Sequence, residues 1–104
     1  MKKIIWHERA KEGKKQVADY IRRKFGLQHK KAFMQEVDQT VQALMRSPNI
    51  GPIDPLYADR AMAYRSIIIN GLNKLVYRID DDIIHIVDFW DTRREPKNQA
   101  LQTE

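Results

Sequence analysis

The stretch AMAYRSIIINGLNKLVYRIDDDIIHIVDFWDTRR, residues 61–94, decides the fold. Its apolar runs are rich in β-branched and aromatic residues, and Asn70-Gly71 interrupts them. A two-residue turn with both central residues at positive φ accepts Asn and Gly almost alone, so the dipeptide predicts a β-hairpin. Such a turn sets Ile69 opposite Leu72, Ile67 opposite Lys74, Arg65 opposite Val76 and Ala63 opposite Arg78 on one side of the sheet. The other side then pairs Ser66 with Leu75, Tyr64 with Tyr77 and Met62 with Ile79. Those aromatic and aliphatic pairs suit the face that packs on helices. Arg65, Lys74 and Arg78 are therefore expected together on the outer face, and cations in so strongly β-forming a segment mark where function is sought.

The strand from about Leu72 to Asp80 runs through Asp80-Asp81-Asp82 into a last strand from about Ile83 to Trp90. If two residues turn this corner, Asp88 falls on the helix-packed side. If three do, Asp88 joins Arg65 outside and His85, Val87 and Phe89 point inward. Burying a lone carboxylate is costly, so the three-residue loop is expected.

Upstream, a short strand at Lys3 to Trp6 precedes a helix from Glu8 to Phe25, in which Ala10, Val17, Ala18, Ile21 and Phe25 recur at helical spacing until Gly26. A second helix, from about Gln28 to Arg46, carries Phe33, Val37, Val41 and Leu44 and ends at Ser47-Pro48. The connection is so tight that the two helices must form an antiparallel hairpin. Pro48, Gly51, Pro52 and Pro55 make residues 47–60 the one long irregular loop. Trp6, Phe25, Phe33 and Tyr77 are expected in the core. The whole reads as one α+β domain over residues 1–104: an N-terminal strand, a helical hairpin and a three-stranded antiparallel meander packed on the helices, with 95–104 a frayed tail.

An apolar fraction of 42% and a charged fraction of 32% place the chain among ordinary globular domains. The absence of cysteine removes disulfides, thiolate nucleophiles and thiol-zinc sites, and fits a reducing cytoplasm. MKKIIW is too short an apolar run for a secretion signal, and no stretch is apolar enough to span a membrane. His7, His29 and His85 are scattered in sequence, so neither a metal nor any other cofactor is expected. Ser47 and Ser66 lack a motif that would activate them. The net charge of +5 and pI of about 9.6 favour an acidic partner. Lys11, Lys14, Lys15, Arg22 and Arg23, with Lys30 and Lys31, read as a solvated helix exterior.

The cluster of Arg65, Lys74 and Arg78, extended by Arg93 and Arg94, is suited to phosphates or to an acidic target. Cations so placed can hold an RNA backbone and stabilise the charge that builds when an internal 2′-hydroxyl attacks its phosphate, a reaction that requires no metal. The alternative is a solvated face balanced by Asp88 and the Asp80-Asp81-Asp82 turn.

The order of elements resembles the RelE/ParE superfamily of toxins from bacterial type II toxin-antitoxin systems. So do the segment ALMRSPNIG closing the second helix, the run KLVYRIDDDIIHIVDFWDTRREP with its LVYRI strand, and the terminal Arg93-Arg94. The resemblance implies a cytoplasmic, growth-inhibiting toxin of a plasmid-stabilisation or stress-response system, neutralised by a cognate antitoxin that covers its basic surface. ParE-like members poison DNA gyrase, whereas RelE-like members cut messenger RNA on the ribosome. In the nuclease branch Arg65, Lys74 and Arg93 or Arg94 match the cations around the scissile phosphate, as catalytic residues. Lys74 stands where that branch usually has an arginine, and Glu95 to Glu104 lacks the tyrosine or histidine such enzymes place there. General acid-base catalysis is worth roughly a hundredfold or more, so the departure favours the gyrase branch. A non-toxic basic binding module is the third reading.

Overall fold

The structure, a computed structural model, describes residues 2–93. Helix α1 (Glu8–Phe25) and helix α2 (Leu27–Arg46) are joined by Gly26 alone. At φ 98° Gly26 takes a conformation that side chains disfavour, and its N–H closes α1 on Arg22 O at 3.0 Å. α1 lies hard against the sheet: a Cβ on Gly13 would sit 1.9 Å from the carbonyl oxygen of Phe89. Only glycine permits that approach.

The sheet has the order β1-β4-β3-β2, from β1 (Lys3–Trp6), β2 (Arg65–Ile69), β3 (Asn73–Asp80) and β4 (Ile83–Asp91). β2, β3 and β4 form the expected antiparallel meander. β1 adds to it in parallel beside β4, with Lys3 opposite Ile83 and Trp6 opposite Ile86. The helices cover one face, where Phe33, Val37 and Leu44 pack with Ile69, Leu75, Tyr77, Ile84, Ile86 and Phe89.

The faces of the first hairpin differ from expectation. Asn70 and Gly71 do have positive φ, 59° and 65°, but Ile69 pairs with Asn73, not Leu72. Leu72 is held in the turn: its N–H donates to Ile69 O at 3.3 Å, while its carbonyl accepts from Thr92 N at 2.8 Å and Thr92 Oγ1 at 2.7 Å. One extra residue in the turn reverses every cross-strand partner. Arg65 now stands opposite Tyr77 on the helix-covered face, while Lys74 stands opposite Ile68 on the other.

The second turn also departs from expectation. Asp80 pairs with Ile83, so two residues turn the corner, and Asp81 supplies a φ of 57°. The register then shifts, since Tyr77 faces Ile86 but Val76 faces Asp88. This β-bulge leaves Val87 without a directly opposed residue and restores Asp88 to the face of Val76. Phe89 points inward as expected, but His85 stands opposite Arg78 and Val87 joins a separate cluster. Asp88 is buried, and its oxygen lies 2.9 Å from Arg9 Nε. The expected penalty was for a lone carboxylate, and this one is paired.

The face assigned to solvent is a second small core. The long loop carries a 3₁₀ turn (Pro55–Tyr57), and Tyr57 and Tyr64 stack at 4.9 Å while packing with Val76, Val87 and Trp90. Among the residues expected in the core, Phe33 and Tyr77 are there and Trp6 packs at its edge, but Phe25 is exposed. Phe25 is the last residue of α1, next to the Gly26 joint, and is 54% exposed there.

Candidate functional site

Arg65 and Lys74 do not meet. Arg65 Nη1 donates to Gly51 O at 2.8 Å and reaches Asn49 O at 3.4 Å. Tyr77 works beside it: its hydroxyl donates to Pro48 O at 2.6 Å and accepts from Gly51 N at 3.0 Å. Burial raises the Tyr77 phenol above its ordinary pKa, against the smaller opposing effects of Gly51 N and Arg65. Together these two side chains fasten the loop after α2 to the sheet.

Lys74 fastens the same loop on the opposite face. Its Nζ lies 2.8 Å from Asp54 Oδ2, with side-chain exposures of 17% and 1%, and 5.5 Å from the Trp90 ring centre. Asp54 Oδ1 meanwhile accepts from Leu56 N at 3.0 Å and caps the 3₁₀ turn. A buried carboxylate with both oxygens engaged holds the ammonium away from any phosphate approaching from solvent.

Arg78 shares the face of Lys74, as expected, and Asp80 lies 3.9 Å from its Nη1. Its cross-strand neighbour His85 brings Nδ1 to 2.9 Å from Nε2 of His7, so the fold joins two histidines that are far apart in sequence. His29 lies apart, beside Phe25. Among the described residues no group of three or more His, Cys, Asp or Glu side chains is arranged to hold a metal ion. Arg94 and the expected tail lie outside the described residues. On the exterior of α1, Lys15 pairs with Asp19 and Lys11 with Glu8, which accords with a solvated face.

Arg93 is placed differently, on the rim of a groove of about 590 Å³ between the Gly26 end of the helical hairpin and the Asn70-Gly71 turn. Val17, Ile21, Phe25 and Phe33 line it from the helices and Leu72 from the turn. Apolar surface is exposed at this corner, where the lining residues Tyr20 and Phe25 are 36% and 54% exposed and Leu27, outside the lining, is 48% exposed. Lys24 Nζ lies 5.7 Å from the Tyr20 ring centre. Hydrogen bonding to Lys24, then the charges of Lys24 and Arg93, hold the Tyr20 phenol below its ordinary pKa. Arg93 is paired with Asp91, Nε to Oδ1 at 3.0 Å, which raises its own pKa. At the floor is Asn73, 2% exposed, whose Oδ1 accepts no hydrogen bond from any described residue.

Tyr20, Lys24 and Asn73 were not marked by the sequence reading. The available signals were Asn73 itself, a poor strand former at the start of a strand, and two large apolar residues flanking a one-residue helix corner.

Comparison with known proteins gives two findings. The family model for the ParE toxin of the type II toxin-antitoxin system, parDE, matches residues 4–96. A solved chain of the chromosomal ParDE toxin-antitoxin system from P. aeruginosa superposes with a TM-score of 0.70 at 16% identity, covering 88% of this chain and 96% of that one. At that identity the likeness is one of fold. No curated protein matches the chain in sequence.

Proposed function

Because this chain belongs to the ParE toxin family of type II toxin-antitoxin systems, we propose that it is a growth-inhibiting toxin, held in check by a cognate antitoxin, that acts by binding DNA gyrase in the cytoplasm rather than by cutting RNA. The observation carrying the choice of target is the placement of Arg65 and Lys74. A phosphate-gripping site requires its cations on one surface, turned outward, yet these two lie on opposite faces and bond to the loop over residues 49–54. With Arg65 and Lys74 engaged in this way, Arg93 alone among the described catalytic candidates remains at an open surface, and a lone guanidinium does not surround a phosphate. The nuclease reading, with Arg65, Lys74 and Arg93 as its residues, is correspondingly disfavoured.

The test is purified protein with gyrase and supercoiled plasmid. The proposal expects gyrase-dependent DNA breaks and lost supercoiling activity. Intact gyrase activity, with codon-specific cuts in ribosome-bound mRNA by toeprinting, overturns it in favour of the endoribonuclease. Unaltered growth on induction without a partner overturns both in favour of a non-toxic binding module.

A further inference from the structure

The net charge of +5 is not spread over the molecule. Residues 20–35 hold five of the 19 lysines and arginines and none of the 14 aspartates and glutamates, so the rest of the chain balances 14 cations against 14 acids. That stretch is the tip of the helical hairpin: the last turns of α1, the Gly26 joint and the first turns of α2. The earlier part of the α1 exterior is built differently, since Lys11 lies 3.3 Å from Glu8 and Lys15 lies 3.0 Å from Asp19. Among the described residues no carboxylate comes within ion-pair distance of Arg22, Arg23, Lys30 or Lys31. Arg23 and Lys30 both act on Asp19, which places them on one side of the hairpin, and that carboxylate is already bound to Lys15. Glu36 and Asp91 line the groove instead. Asp91 is bound to Arg93, and at ~100° per residue Glu36 lies about 120–140° around α2 from Lys30 and Lys31. Beside the cations, at the joint itself, Phe25 and Leu27 are 54% and 48% exposed.

We propose that the tip of the helical hairpin is a binding surface for duplex DNA, with Arg22, Arg23, Lys30 and Lys31 on the phosphates and Phe25 and Leu27 against the sugars and base edges of the minor groove. The proposal goes beyond the toxin reading by giving the chain a nucleic-acid contact of its own. Its choice of duplex DNA over RNA rests on the gyrase reading, because that target works on duplex DNA. The charge argument comes first. Cations gathered without acids repel one another in the isolated chain, and a DNA backbone relieves that repulsion while releasing the counterions condensed on it. Two of the four are arginines, whose planar guanidinium meets phosphate oxygens with paired hydrogen bonds. The apolar joint then separates DNA from an acidic polypeptide, which the cations alone would satisfy. Proteins that lie in the minor groove set phenylalanine or leucine between cations that hold the flanking phosphates, and the tip has that composition.

The test is fluorescence anisotropy of a short labelled duplex of mixed sequence with the full chain, over a range of salt. The parent is expected to bind with a Kd of about 1–100 µM near physiological salt, and log Kd is expected to rise with log salt at a slope of about 3–4, as four phosphate contacts require. Arg23→Gln combined with Lys31→Gln is expected to lower that slope by about 2 at an unchanged melting temperature. Lys11→Gln removes the same kind of charge from the paired part of α1 and is expected to keep the parental slope. Phe25→Ala is expected to bind roughly fivefold more weakly at the parental slope, because it removes about half a phenylalanine of apolar burial and no charge. Parental binding in the double variant overturns the proposal, and a fall in slope as large in Lys11→Gln overturns the location. Parental affinity in Phe25→Ala overturns the groove contact. Polyglutamate bound as tightly as the duplex assigns the tip to an acidic protein, and single-stranded RNA bound more tightly assigns it to RNA; either result overturns the proposal. Gyrase assays keep the two readings apart. Gyrase-dependent breaks without DNA binding by the chain overturn the tip proposal alone, whereas the expected binding with intact gyrase activity supports the tip and overturns the gyrase reading.

Discussion

Two of the places where cations meet aromatic rings are built to opposite plans. On the sheet, Lys74 sits over Trp90 and bonds to buried Asp54, while Arg65 stands opposite Tyr77 and bonds to loop carbonyls. At the helical corner, Lys24 and Arg93 flank the Tyr20 ring at the edge of an open groove. The same residue types hold the fold together in the first place and face outward in the second. Charge in a strand is therefore a weak guide to function until the register is known, because a one-residue slip decides whether a guanidinium meets solvent or the protein's own backbone.

The sharpest way to break this comparison is to remove one member of the buried pair. Lys74→Met leaves Asp54 charged at 1% side-chain exposure and is expected to cost about 3 kcal/mol, read as a large drop in denaturation midpoint. An unchanged midpoint would return Lys74 to the list of recognition residues. Tyr77→Phe comes next, at about 1–2 kcal/mol, since it leaves Pro48 O and Gly51 N without the shared hydroxyl. That variant also has a pH signature. The folded phenol titrates above its unfolded value near 10, so the stability it contributes is fully present below pH ~10 and lost as pH rises through the folded value. Melting curves between pH ~8 and ~11 should fall more steeply for the parent than for Tyr77→Phe; parallel curves would contradict the burial of this hydroxyl. Arg65→Ala should have the smallest effect, about 1 kcal/mol, because Tyr77 still holds the same loop. A larger loss would make Arg65 the main fastening and Tyr77 its accessory.

How far the fold could be read varied with the range of the signal. The periodicity of Ala10, Val17, Ala18 and Ile21 marked α1, and Gly26 marked its end, because helix patterning and capping are local properties. The start of α2 fell one residue earlier than expected, at Leu27, because Gly26 serves as terminus and joint at once. The hairpin turn was legible in Asn70-Gly71, but its length was not. The carbonyl of Leu72 is claimed by Thr92, twenty residues on, and no local preference reports that bond. The bulge at Val87 escaped for the same reason. The groove was less legible still, since α1, α2 and the first hairpin turn each supply part of it and none is unusual alone.

The most direct test of the fastening role keeps the fold and removes the charges. Asp54→Asn with Lys74→Met retains an oxygen for Leu56 N and leaves no unpaired ion, and replacing a buried pair together is far milder than breaking it. Growth arrest on induction of this double variant, with circular dichroism and melting temperature as controls, is the measurement. Undiminished arrest is the predicted result. A folded double variant that no longer arrests growth would contradict the account, because Lys74 would then act on the target and not on the loop.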